Sequence, residues 1–152
     1  MITLSYAEKA VDIFMKGCNC SQAVFAAFAD KLGIDEKTAL GISCGLGGGV
    51  GRMREVCGAV SGASMVLGML YSGEDHMDKH SAYEKVREFA DKFRNENGSI
   101  ICRELLEIRE NAKESAVPSE RTNEFYKSRP CAKLVCDAAR IVEEMIDEAE
   151  NS

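Results

Sequence analysis

Apolar residues along this chain return every three or four positions rather than every second one. From Ser5 to Lys16 they are Ala7, Ala10, Val11 and Phe14, a stripe down one side of a helix. After a break at Gly17 to Asn19, a second helix turns Ala23, Val24, Ala27, Phe28 and Leu32 inward, and Gly33 supplies a left-handed stop. Asp35 is placed to cap a short third helix ending near Cys44. Gly45 to Gly51 reads GLGGGVG, a loop that only glycine could build. A fourth helix is predicted from near Cys57 to about Tyr71, and a fifth from about Asp78 to Glu96 with Val86, Phe89, Ala90 and Phe93 inward. Asn97-Gly98 closes the fifth, and Ser99 is read as the cap of a sixth running through Ile101, Leu105, Leu106 and Ile108. The stretch from Asn111 to Arg129 is polar, contains Pro118 and shows no clear element. A last helix opens at Pro130 with Ser128 as its cap, burying Leu134, Val135, Ala138, Ile141, Val142, Met145 and Ile146. Strand signals, long linkers and repeats are missing. The fold predicted is a single all-α domain over residues 1–152, a compact bundle of five to eight helices.

Composition agrees with a packed domain: 45% of the 152 residues are hydrophobic and 29% charged. The formal charge of -6 argues against a broad nucleic-acid footprint, which needs a basic face. The N-terminal stretch is amphipathic, unlike a secretory leader. The longest apolar run, Val56 to Ser72, falls short of the roughly 20 residues that a spanning helix needs, so no membrane insertion is expected. Seven cysteines is an odd and high number for such a chain. Without an export signal, it points to a reducing, cytoplasmic compartment in which the thiols bind metal or do redox chemistry.

Placed on the helix map, four of these cysteines share a position. Cys20, Cys57, Cys102 and Cys131 each fall at a predicted helix start. Helix starts offer unpaired amides and partial positive charge, which favour the thiolate, the form that is both nucleophile and metal ligand. Their separations of 37, 45 and 29 residues match no short zinc-knuckle spacing, and there is no C-x-x-C. Cys18, Cys44 and Cys136 are read as small hydrophobes of the core. Arg52 and Arg54 precede Cys57, Arg103 follows Cys102, and Arg129 precedes Cys131. These cations either lower thiol pKa values, balance an anionic cluster, or are surface charges at helix ends. Gly58 and Gly62, four apart on one face, serve either close helix packing or the approach of a cofactor. Gly58, Gly62 and Arg52 are therefore the candidate cofactor-binding residues.

The block Cys57 to Gly62, the text around Cys20 (Asn19-Cys20-Ser21-Gln22-Ala23-Val24), the glycine run ending Gly51-Arg52, and Cys102-Arg103-Glu104-Leu105 together carry a resemblance. From about Ala7 to Glu144 the chain resembles the C_GCAxxG_C_C family of redox-active bacterial and archaeal proteins. That family is defined by four cysteines, the second opening a Cys-Gly-Ala-x-x-Gly block. The resemblance implies redox activity and, since members are often encoded near transporter genes, a link to a membrane transporter system.

Three functions stay open at this level. The first is redox: Cys20, Cys57, Cys102 and Cys131 hold an iron–sulfur cluster as an electron carrier, or pairs of them cycle between dithiol and disulfide as an oxidoreductase. The second is a zinc site, structural or sensing, on the same thiolates. The third is a helical interaction module with core cysteines and no cofactor. The redox partner protein is not specified. The apolar face of the first helix suits either the core or a second copy, so a homodimer is among the expectations. GLGGGVGR lacks the endings of nucleotide-binding loops, and His76 and His80 are read as solvent-exposed.

Overall fold

The computed structural model describes residues 4–108 and 114–152. It is all-α: α1 (Tyr6–Met15), α2 (Cys20–Ala27), α3 (Ala29–Leu32), α4 (Glu36–Ser43), α5 (Gly58–Tyr71), α6 (Lys79–Asn97), α7 (Cys102–Leu105), α8 (Asn123–Ser128) and α9 (Cys131–Glu150). A 3-10 turn, Cys44–Leu46, follows α4. Among the described residues there is no strand, only an isolated antiparallel bridge between Val56 and Ile101. None of the described helices is long and apolar enough to cross a membrane.

The expected helices are present with local corrections. The predicted second helix is interrupted at Phe28, which leaves helical geometry and separates α2 from α3. The sixth is only four residues, because Leu106 caps it and Glu107 turns left-handed, so Ile108 lies beyond it. Ser99 does not cap it by the usual N-cap bond. Its hydroxyl accepts from the Ile101 amide and donates to Glu104. Ser128 is the last residue of α8, a helix the polar stretch did not announce. Pro130 itself caps α9 without a side-chain bond.

The core forms where α9 lies along α1 and crosses α2, α5 and α6. Phe14, Phe28, Phe89, Phe93, Leu67, Ile141 and Met145 are fully buried there. Burying each such side chain is worth about 1.5–3 kcal/mol, which is why period and not propensity decides the helix faces. α5 packs unusually close to α2. A Cβ on Gly62 would lie 2.8 Å from the Ser21 carbonyl oxygen, and one on Gly58 would lie 3.0 Å from the Ser21 amide. Tight packing against α2 thus accounts for both glycines, and it fixes the start of α2 beside the start of α5.

Candidate functional site

Each of the four cysteines is held by a local device. Cys20 is the first residue of α2, which a capping box starts: Gln22 donates its amide to Asn19 Oδ1 at 2.9 Å, and Asn19 donates its own to Gln22 Oε1 at 3.0 Å. Cys57 is the N-cap of α5 without a side-chain cap bond, and the nearby amides of Ala59 and Val60 favour its thiolate. Cys102 opens α7 and Cys131 opens α9. Cys57 and Cys102 are brought side by side by the Val56–Ile101 bridge, in which Cys57 donates to the Ile100 carbonyl (2.8 Å) and Cys102 to that of Glu55 (2.7 Å). All four line one cavity of about 310 Å³.

The thiols are not equivalent. Its interaction with Cys131, together with burial, pushes the Cys20 thiol well above its usual range. The same interaction brings Cys131 from 9.0 down to about 7, with Arg129, Arg121 and Arg54 assisting against burial. Cys57 goes the other way. Its thiol is only 3% exposed, and burial raises it to about 12 although the two helix-start amides pull it down. Cys102 is also raised by burial, opposed by Arg54, whose Nη1 lies 3.6 Å from its sulfur. The expectation of four acidic thiols at helix starts is therefore corrected. Desolvation outweighs the helix-end field at Cys57 and Cys102, and only Cys131 is acidified.

Arginines form much of the remaining wall. Arg54 is no surface charge. It is 3% exposed and donates from Nε to Glu114 at 3.1 Å, besides reaching Cys102. Although adjacent in sequence to Cys57, it serves the cysteine across the bridge. Arg52 donates to the Ser115 carbonyl (2.8 Å) and Ser119 Oγ (3.1 Å), and Arg129 to the same hydroxyl at 3.3 Å. Arg121 donates to the carbonyls of Phe14 (3.1 Å) and Cys18 (2.7 Å) and stacks over Phe14 and Phe125. Together these bonds fasten the polar stretch after Glu114 over the cavity, which Ala116, Pro118 and Ser119 help to line.

The glycine loop is tightly turned. Its amides fold back on its own carbonyls, Gly51 to Gly45 and Glu55 to Gly49 among them, and Val50, Arg52 and Arg54 join the glycines at positive φ. A Cβ on Gly49 would sit 2.7 Å from the Cys102 Cβ, and one on Gly47 would collide with the Asn19 amide. The loop is thus wrapped onto the cysteines rather than shaped for a phosphate.

Of the sequence candidates, Cys20, Cys57, Cys102, Cys131, Gly58 and Arg52 line the cavity, whereas Gly62 faces α2. Cys44 departs from the core reading. It follows Ser43, which is buried, and one residue further round the helix it is exposed and lines the cavity. Cys18 and Cys136 are half-buried. Sequence reasoning missed Arg121, Ser119 and Glu114. The aromatic neighbours Phe125 and Tyr126 were the available signal for Arg121, and Asn19-x-x-Gln22 was the available signal for the capping box. His76 and His80 are exposed, as expected.

The four thiols match in kind what an iron–sulfur cluster or zinc would use. Among the described residues, however, no group of three or more His, Cys, Asp or Glu side chains is disposed to hold a metal ion.

Fold and site define a helical protein with clustered, unbridged cysteines around a cationic cavity. The family model described as "Putative redox-active protein (C_GCAxxG_C_C)" matches residues 18–145, and the chain belongs to that family. No curated protein and no solved structure matches it.

Proposed function

We propose that this chain is a thiol-redox protein in which Cys20 and Cys131 cycle between dithiol and disulfide. The observation that carries this reading is that Cys20 and Cys131, opening α2 and α9, line the same cavity and act on each other there, which brings Cys131 down to about 7. The Cys131 thiolate, the one favoured here, is the attacking species, and Cys20 on the same cavity resolves the mixed disulfide. Closing the bond releases two electrons and two protons to the oxidant. Burial holds Cys57 and Cys102 as neutral thiols, so neither attacks first.

A cluster needs four ligands around one point, whereas a disulfide needs only one pair, and Cys20 and Cys131 are the two thiols that act on each other most strongly. The test is stepwise oxidation of the full chain purified without oxygen, with peptide mapping, metal analysis and an absorption spectrum. The expected product is one disulfide joining Cys20 to Cys131 in colourless, metal-free protein. Iron with sulfide and visible bands, or one zinc released on substituting Cys57, would replace this reading by a metal centre.

A further inference from the structure

The charge inside the cavity is opposite to that of the chain. Asp and Glu outnumber Lys and Arg by 25 to 19, yet four arginines and no acidic residue are found among the described residues lining the cavity. Arg52, Arg54 and Arg129 stand close enough to repel one another, and burial adds to the cost at Arg52. Glu114 serves Arg54 at 3.1 Å and Arg52 at 3.6 Å. Among the described residues, the hydrogen bonds and ring contacts of Arg129 and Arg121 go to a hydroxyl, two backbone carbonyls and aromatic rings, while Glu114 acts on Arg129 only through space. Clustered guanidinium groups with, among the described residues, one carboxylate ion-paired to them suit a ligand that brings negative charge.

The other walls say what carries that charge. Phe14, Leu105, Phe125 and Leu134 face the same space as the arginines. A volume of about 310 Å³ is far more than a bare oxyanion fills, and apolar walls do nothing for one. Short carbon chains ending in carboxylates satisfy both surfaces. The thiols of Cys20 and Cys131 stand in the same wall.

We infer that the cavity takes a small organic disulfide bearing carboxylates as the substrate of the Cys20–Cys131 pair. This rests on the thiol-redox reading and names its substrate class. The Cys131 thiolate attacks one sulfur of the substrate; the Cys131–sulfur bond forms, the substrate's S–S bond breaks, and one half leaves as a thiolate. Cys20 then attacks the Cys131 sulfur, the protein disulfide forms, and the second half leaves. The substrate gains two electrons, the cysteine pair loses two, and the proton of Cys20 goes to a departing thiolate.

Three aliphatic disulfides test this on the reduced full chain: dithiodipropionate (a dianion), bis-hydroxyethyl disulfide (neutral) and cystamine (a dication). The rate of Cys20–Cys131 bond formation is measured with each and divided by the rate with free cysteine, which removes intrinsic differences. The dianion should exceed the neutral compound about tenfold at low salt, and cystamine should be slowest. Added salt should shrink the advantage. Arg52→Gln should cut the dianion-to-neutral ratio about threefold and Arg52→Lys should restore it. Equal corrected rates for all three overturn the inference and leave the thiol-redox reading standing. If none of the three yields the Cys20–Cys131 bond, both fall.

Discussion

Cys20→Ala removes the thiol whose interaction does most to acidify Cys131. With Cys131 lowered to about 7, about half of it would be thiolate at pH 7. Returned to the ordinary 9.0, about one part in a hundred would be, a fiftyfold loss of the reactive form. Intrinsic nucleophilicity rises with thiol pKa along a Brønsted slope of about 0.4–0.5, which over that interval restores about eightfold. The net fall in Cys131 alkylation at pH 7 is therefore about sixfold at most, and smaller to the extent that Arg129, Arg121 and Arg54 still act. The assay is iodoacetamide labelling of Cys131 from pH 5.5 to 9.5, read by peptide mass spectrometry. The inflection should move up from about 7, and Cys20→Ser, which keeps a hydroxyl donor, should move it less. An unmoved inflection in Cys20→Ala would refute the reasoning, as would an inflection near 9 in the unaltered protein.

Further outcomes follow from the same site. Burial lifts Cys57 to about 12 in the folded protein against 9.0 unfolded, so the stability it brings is complete below about 9 and is lost as pH rises toward 12. Melting temperatures from pH 8 to 11 should fall more steeply for the unaltered chain than for Cys57→Ala; parallel curves would contradict this. Gly62→Ala should cost about 1–3 kcal/mol in denaturant titrations, because its new Cβ meets α2 backbone 2.8 Å away. Gly41→Ala, with nothing within 4 Å, should be neutral or slightly stabilising, and equal effects for the two would discard the packing argument. Glu114→Gln leaves Arg54 to Cys102 alone and should lower the Cys102 thiol, seen as faster labelling of that residue at pH 8. Unchanged labelling would mean that Arg54 does not act on Cys102.

The all-α fold was legible because period is a direct imprint of burial: the face Leu134, Val135, Ala138, Ile141 and Val142 could serve only a helix. Boundaries were harder. Phe28 and Leu106 end helices by backbone geometry that no particular residue type demands. The gathering of Cys20, Cys57, Cys102 and Cys131 could be anticipated from a shared position at helix starts, but their unequal acidity could not. Whether a thiol at a helix start is acidified depends on how much water the rest of the fold removes, and that is a tertiary quantity. The roles of Arg54 and Arg121 were hidden for a related reason. Their partners Cys102, Glu114 and Phe14 lie 48, 60 and 107 positions away. Cys44 was misjudged because one residue past buried Ser43 is a different side of the same turn.

The division of the reactive pair between α2 and α9 bears on how the protein is made. Cys20 leaves the ribosome 111 residues before Cys131, an interval of roughly six to twenty seconds at ordinary elongation rates. During that time Cys20, Cys57 and Cys102 are ordinary thiols on a nascent chain whose helices α1, α2 and α5 still lack the apolar surface of α9. The two thiols and the surrounding guanidinium groups meet only when α9 docks. On the thiol-redox reading proposed above, the Cys20–Cys131 pair is completed only by the end of folding, and a chain truncated before residue 131 should carry thiols no more reactive than those of an unstructured peptide.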